Sequence, residues 1–493
     1  MAARKKAFYI LPGAYSMIGI GTIFRRRAGS GGPLPPDYAK WVKEHMVFWY
    51  DMTKPVDVYT QNFNDWQNYN PNSVSITNNK IVVNGLIDNF RIASIGKETE
   101  SFSVFIEGLG DKNLVYRVKL DENSDQITNI KLKDGENVLP HSFATTVAFM
   151  GVSGVTDYIG LTITQLPSGQ SVPTNEILKA NPYLQDFSGN NRPLKLNNFL
   201  FAAMSGVGGY DISSTNILPD RANVTVTDNR VIHITKKLST TDNMVNIVPA
   251  NSNPTHKFKV TGLSDGRQVS LVNRNGGFYT FDNGEHEVTL TYPEGTTSLY
   301  NAIGVTGDIG DMDVTIEFLP KYPNALITDG ADDYGVVENF KSLQNYMMFF
   351  QCAITRPNAV NGMFSTTPIE NDNNVRGWML LQGNYANSVR FGNSRYKNFE
   401  FTSSVKDKIS YVLSANNELM TCYVGEEKAT LAGTYRQTGA NMSLFLSEAR
   451  GKTRFGSMAF YKSILFDSVP TKETDGFTEQ DLIDYVLKNI ITQ

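Results

Sequence analysis

Apolar and polar residues alternate with a period of two through much of the chain. Val74 and Ile76, then Ile81 and Val83, flank Asn78-Asn79, and Val224 and Val226, then Val231, flank Asp228-Asn229. Alternation around residues that accept positive φ is a hairpin pattern. Phe102, Val104, Ile106 alternate in the same way, as do Tyr116, Val118, Leu120 and Val288, Leu290. Short strands punctuated by turns predict antiparallel sandwiches, and no segment there holds a helical period for long.

The two regions read as copies of one unit. Residues 73–82 match 223–232 at an offset of 150, Gly108-Leu109-Gly110-Asp111 matches Gly262-Leu263-Ser264-Asp265 at 154, and 161–167 matches 314–320 at 153. Outside the copies, Met347 to Ile354 is a mostly apolar run of buried-strand length, and 378–383, 409–413 and 419–424 are strand-like. The chain closes with a predicted helix over 478–491. Thr478 caps it with Asp481 three residues on, and Leu482, Ile483, Val486, Leu487, Ile490 and Ile491 form one apolar stripe.

Several markers resemble the concanavalin A-like, laminin-G-type jelly roll. Val47-Phe48-Trp49-Tyr50-Asp51 resembles its opening strand, Asp186-Phe187-Ser188-Gly189-Asn190 its D-x-S-G-N turn, and Asp329-Gly330-Ala331-Asp332-Asp333-Tyr334 a D-G-x-D-D-Y strand. The strand at 455–461 and the closing helix are similar too. The order of the markers matches the family and their spacing does not, because the two copies lie between them. The expected fold is therefore all-β: a discontinuous concanavalin A-like jelly roll with two inserted, mutually related β-sandwich domains and a C-terminal helix. An arm and linker (1–36) would come first. The jelly roll would then be built from three segments, 37–58, 171–221 and 321–493, the last carrying the helix. The inserted sandwiches would occupy 59–170 and 222–320. Residues 181–210 resemble virion-associated proteins of phages infecting gut Bacteroidales, crAss-like phages among them. That resemblance implies a virion location and a structural role, as head fibre, decoration or tail component.

Charge adds one feature. The first 36 residues hold Arg4, Lys5, Lys6, Arg25, Arg26 and Arg27 and no acid, whereas the rest carries 39 basic against 49 acidic residues, a net of -10. A Gly/Pro-rich linker, 29–36, follows. The arm is also apolar from Phe8 to Phe24, a run interrupted by Pro12, Gly13, Gly19 and Gly21 and ended by three arginines. That pattern predicts neither a signal peptide nor a membrane span. It predicts docking, through Arg4, Lys5, Lys6, Phe24, Arg25, Arg26 and Arg27, onto another virion protein of the capsid or tail. Repeated use of such an arm around a particle implies a homo-oligomer, by analogy a trimer.

Candidate chemistry is sparse. None of His45, His141, His233, His256 and His286 falls in a metalloprotease motif, and no nucleophile-elbow or phosphate-loop pattern is present, so the expectation is no enzyme. No cofactor is expected; calcium on Asp329, Asp332 and Asp333 is the alternative to a turn made by the same residues. Two cysteines, Cys352 and Cys422, leave room for one disulfide. Trp66 and Tyr69 lie in an Asn/Gln-rich run, 61–70, that reads either as a linker or as a face for a host surface glycan. The rival function is accordingly a carbohydrate-binding adhesin. Trp49 and Trp378 read as core.

Overall fold

The computed structural model describes residues 37–492 except 78, 145, 211, 218–222, 228–229, 238–244, 250–254, 274–276, 291–300, 339, 341–342, 344, 356–359, 366–377, 382–386, 393–395, 417–418, 433–441 and 449–452. The segment expected to dock, 1–36, lies outside the described residues.

Two eight-stranded antiparallel sheets form the jelly roll. In the first, Met458–Phe466 is flanked by Leu326–Ile327 and Tyr346–Ile354, and also pairs with Met46–Asp51. Beyond Tyr346–Ile354 come Ile409–Ala415, Leu419–Val424 and Glu427–Ala432. The second sheet runs from Tyr183–Leu184 and Leu194–Asn197 through Tyr334–Val337 to Tyr396–Glu400. The strands of the two sheets come from before, between and after the two copies, so the jelly roll is discontinuous.

The core lies between these sheets, around Phe48, Tyr50, Phe350, Phe364, Tyr411 and Phe460. The outer face of the first sheet is covered as well. A helix at Tyr38–His45 and the closing helix at Glu479–Val486 pack Trp41, Val42, Leu482, Ile483 and Val486 against Phe349, Val412 and Phe466. Coverage on both faces explains why Tyr346–Ile354 and Met458–Phe466 are buried at every position and are mostly apolar, with Gln351, Lys462 and Ser463 as the polar exceptions. Thr478 and Asp481 make the reciprocal capping box that the sequence predicts, and a π-turn, Leu487–Ile491, carries the stripe onward. Among the described residues, no helix is long and apolar enough to cross a membrane.

The inserted sandwiches share one topology strand for strand. In the first, one sheet runs Val74–Thr77, Lys80–Val83, Thr162–Gln165, Phe102–Glu107, Gly135–Leu139. The other runs Gln67–Asn68, Arg91–Ile95, Val147–Met150, Leu114–Val118, Thr128–Leu132. The second sandwich repeats that order as Val224–Thr227, Val231–Lys237, Gly310–Phe318, Thr255–Thr261, Gly284–Thr289 and as Ile212–Ile217, Val245–Pro249, Asn301–Thr306, Gln268–Asn273, Gly277–Phe281. The strand Ile212–Ile217 pairs with Val245–Pro249. It thus belongs to the second sandwich, which begins before the expected boundary at 222.

A shared turn makes the kinship physical. Gly108 and Gly262 have φ of +78° and +86°, and a Cβ there would lie 2.3 Å from the Gly160 carbonyl oxygen and 1.8 Å from that of Asp313. The next amide is held by a side chain in both copies: Leu109 N donates to Asp134 Oδ1 at 2.9 Å, and Leu263 N to Asn283 Oδ1 at 3.0 Å. Gly108→Ala and Gly262→Ala combine a left-handed backbone with a backbone clash, so each is expected to cost on the order of 2–3 kcal/mol. Denaturant melts of the two variants check this; a loss below about 0.5 kcal/mol would contradict it.

Candidate functional site

Three of the resemblance markers have a definite place in the structure. The opening strand pairs with Met458–Phe466 on one side, and the Asp186–Asn190 turn closes its other edge: Trp49 N donates to Asp186 Oδ1 at 2.9 Å, and Phe187 N donates to the Trp49 carbonyl at 2.8 Å. Asp186 also takes Ser188 N, Ser188 Oγ and Arg192 N. A free strand edge is thereby blunted. Trp49 is half-buried rather than core, with Lys54 Nζ 4.3 Å from its ring centroid. The side chain of Trp378 lies outside the described residues.

The Asp329, Asp332, Asp333 group is a turn. Asp329 Oδ1 accepts from Ala331 N at 2.7 Å and Asp332 N at 3.4 Å, and Gly330 takes φ +76°. Asp333 is fully buried; its oxygens accept from Asp329 N at 2.9 Å and Ser205 Oγ at 3.1 Å. Burial pushes its carboxyl up to about 7, against the pull of these hydrogen bonds, and the nearby Asp329 and Asp332 charges add to the rise. Carboxylate oxygens of all three lie within 4.8 Å of one another, and Asp329 Oδ1 and both oxygens of Asp333 accept hydrogen bonds there.

Trp66 does not serve as a glycan platform. It is 4% exposed and stacks on Phe149, with Phe63 at its edge. The run 61–70 is thus not a free linker, and Trp66 is no part of a sugar face: Phe63 and Trp66 fill the first sandwich, and Asn70 clasps the loop at 88–91 through four hydrogen bonds. Tyr69 is half-buried and engaged. Arg91 lies over its ring at 5.0 Å, and hydrogen bonds from Ser94 and Arg91 hold its phenol below the usual tyrosine range. Cys352 and Cys422 are both free thiols in the jelly-roll core, where burial raises their ionisation well above the usual range. Three histidines sit beside surface acids: His45 with Asp467 at 2.9 Å, His141 with Glu98 at 2.7 Å, His233 with Asp313 at 2.7 Å.

Nothing in the sequence pattern points to a large concave feature beside the first sandwich. A two-stranded ribbon, Val56–Val58 with Gly169–Ser171, joins the first sandwich to the jelly roll. Beside it opens a cleft of about 780 Å³. Tyr59, Asn64, Thr77, Asn79 and Lys80 form the sandwich wall; a short helix, Asn175–Ala180, and the residues after it supply Asn181, Tyr183, Gln185 and Asn191 opposite. Tyr59 Oη accepts from Asn79 Nδ2 at 3.0 Å, and Asn62 Nδ2 donates to the Ala180 carbonyl across the joint. Of the charged lining groups, Asp186 is consumed by its turn and Asp57 accepts from Gln170, so amides and phenols dominate.

No protein-family model matches the chain, and no curated protein matches it. Among solved structures, domain 4 of a GH43 extracellular arabinanase from Geobacillus stearothermophilus, in complex with arabinotriose, is similar at 12% identity and TM-score 0.23 over 32% of this chain and 75% of that one. A Trypanosoma rangeli sialidase mutant is similar at 10% and 0.25 over 53% of each chain. Mouse laminin alpha1 domains LG4-5 are similar at 9% and 0.21 over 54% of this chain and 90% of that one. The fold itself rests on the strand order above: a concanavalin A-like β-sandwich interrupted by two copies of a second one.

Proposed function

We propose that the chain is a structural protein of a phage virion, a head fibre, decoration or tail component, held by its N-terminal arm and projecting its β domains outward. The observation that supports this best is the charge split: six cations and no acid in residues 1–36, against a body of net -10. The described body begins where the arm ends. Asp37 caps the helix Tyr38–His45, and Tyr38 stacks on Tyr485 of the closing helix at 5.1 Å. The arm therefore has a firm root, on the helix layer of the jelly roll. A cationic, apolar segment on such a root suits an acidic groove on a capsid or tail partner. Homo-oligomeric assembly, a trimer, follows by analogy.

Deleting 1–32 is expected to leave a folded body with an unchanged melt that no longer joins particles. Normal incorporation of the truncated protein would refute the anchoring. The proposal also has the protein act by its surfaces and not by turnover; release of reducing sugar from host capsule would overturn that claim.

A second reading, a carbohydrate-binding adhesin, is favoured by the amide- and tyrosine-lined cleft rather than by Trp66 and Tyr69.

A further inference from the structure

We propose that the cleft between the first sandwich and the jelly roll is a binding site for a short neutral oligosaccharide, and that occupying it braces the joint between the two bodies. The inference rests on the adhesin reading and leaves the anchoring reading untouched, since every residue involved lies in the body.

Size comes first. A cleft of about 780 Å³ falls inside the roughly 300–1,000 Å³ range of small-molecule sites. Its chemistry then selects the ligand. The walls present the carboxamides of Asn64, Asn79, Asn181 and Gln185 and the phenols of Tyr59 and Tyr183. Carboxamides both donate and accept, as sugar hydroxyls do, and phenol rings offer flat apolar faces to sugar C–H groups. Lys80 lies on the lining against Asp57 and Asp186, and Asp186 is already taken up by hydrogen bonds in its turn, so nothing there favours an acidic ligand.

One atom points to missing company. Asn181 Oδ1 is shut off from water and has no hydrogen-bond partner. A dry, unpaired acceptor is unfavourable, and a ligand hydroxyl would relieve it. Water does not reach that atom in the present arrangement, so the wall must shift slightly to admit a hydroxyl. The two-stranded ribbon links the two walls, and the shift would be taken up there. A sugar bridging Asn181 on one wall and Tyr59 or Asn79 on the other would then hold the two bodies together. Tyr59 Oη accepts from Asn79, which leaves its proton for such a bridge.

The test is calorimetric titration of the full chain with xylotriose, cellotriose, maltotriose and mannotriose, with trigalacturonate and tetraglycine as acidic and peptide comparators. At least one neutral trisaccharide is expected to bind at one site with a Kd below about 1 mM. Asn181→Ala should weaken that binding about tenfold while leaving the melting temperature equal or higher, because it deletes an unpaired acceptor. Thr77→Trp, which fills the cleft from an exposed strand position, should abolish binding without changing the melt. Neutral-sugar binding that survives Thr77→Trp would overturn the site and leave the adhesin reading standing. Binding of none of the neutral sugars, or of trigalacturonate or tetraglycine in their place, would overturn the site and its ligand class, and the first of these outcomes removes the adhesin reading too.

Discussion

Replacing Lys462 by Met is expected to destabilise the protein by about 3–5 kcal/mol, more than any other single substitution considered. Lys462 and Asp51 sit directly opposite one another where the opening strand meets Met458–Phe466. Their charged atoms are 3.2 Å apart, and the side chains are only 3% and 2% exposed. Asp51 Oδ1 takes Thr53 N at 2.9 Å and Thr53 Oγ1 at 2.6 Å, while Lys462 Nζ reaches the Ile490 carbonyl at 3.5 Å. The pair thus fastens the first strand, a late strand and the closing helical turn at one point.

Removing the ammonium leaves a carboxylate in the interior, with only Thr53 to compensate it. Lys408 feels both charges: burial and the Lys462 cation lower its pKa, while Asp51 raises it. Its ammonium, however, sits 4.3 Å from the Tyr461 ring centroid, on an exposed residue, and does not take Lys462's place. The companion variant decides the interpretation. Asp51→Leu together with Lys462→Met removes both charges, and the double variant should recover most of the loss, because a buried pair is often no better than an apolar replacement. Urea melts of the two variants supply the readout. A loss below about 1 kcal/mol for the single change, or no recovery in the double, would show that the pair does not have this weight.

Much of this architecture is legible in the sequence because local physics repeats itself. The copies align at 73–82 and 223–232 because hairpins need alternation on both strands and turn residues between them. The registers differ by one residue: Thr77 faces Lys80, whereas Thr227 faces Val231, so the turn of the second copy is one residue longer. Thr478 and Asp481 announce their helix through side chains that satisfy amides near its first turn. Other features have no local signal. The helix Tyr38–His45 is eight residues long and buries only Trp41 and Val42, too short a pattern to show a period. The first strand of the second sandwich escapes alignment because its counterpart, Gln67–Asn68, has two residues and leaves nothing to match. Trp66 reads as surface because amides surround it in sequence, yet the turn Phe63–Asp65 swings it inward. The cleft joins residues near 59–80 to residues near 177–193, so only the folded chain makes it.

Asp333 should impose a pH dependence of opposite sign to that of an ordinary surface carboxylate. Its folded pKa of about 7 lies above the 3.8 of an unperturbed aspartate, because burial disfavours the charged form more than Asp329 N and Ser205 Oγ favour it. Below about pH 4 both folded and unfolded chains hold the proton, and Asp333 makes no difference. Between about 4 and 7 the unfolded chain has lost the proton while the folded one keeps it, so stability falls as pH rises. Above about 7 both forms are ionised and the loss levels off, at roughly 4 kcal/mol for a shift of this size. Exposed carboxylates such as Asp481, whose pKa is lowered by hydrogen bonds from Thr478, work the other way, weakening the protein only as pH falls. Asp333→Asn separates the two. Asparagine can accept from Asp329 N and donate to Ser205 Oγ, and it carries no charge at any pH. The stability of this variant relative to the parent should therefore rise steadily from pH 4 to 7 and then hold constant. A difference that stays flat over that window would mean that the turn's hydrogen bonds, not burial, govern the carboxyl, and that the D-G-x-D-D-Y strand tolerates a buried anion at neutral pH.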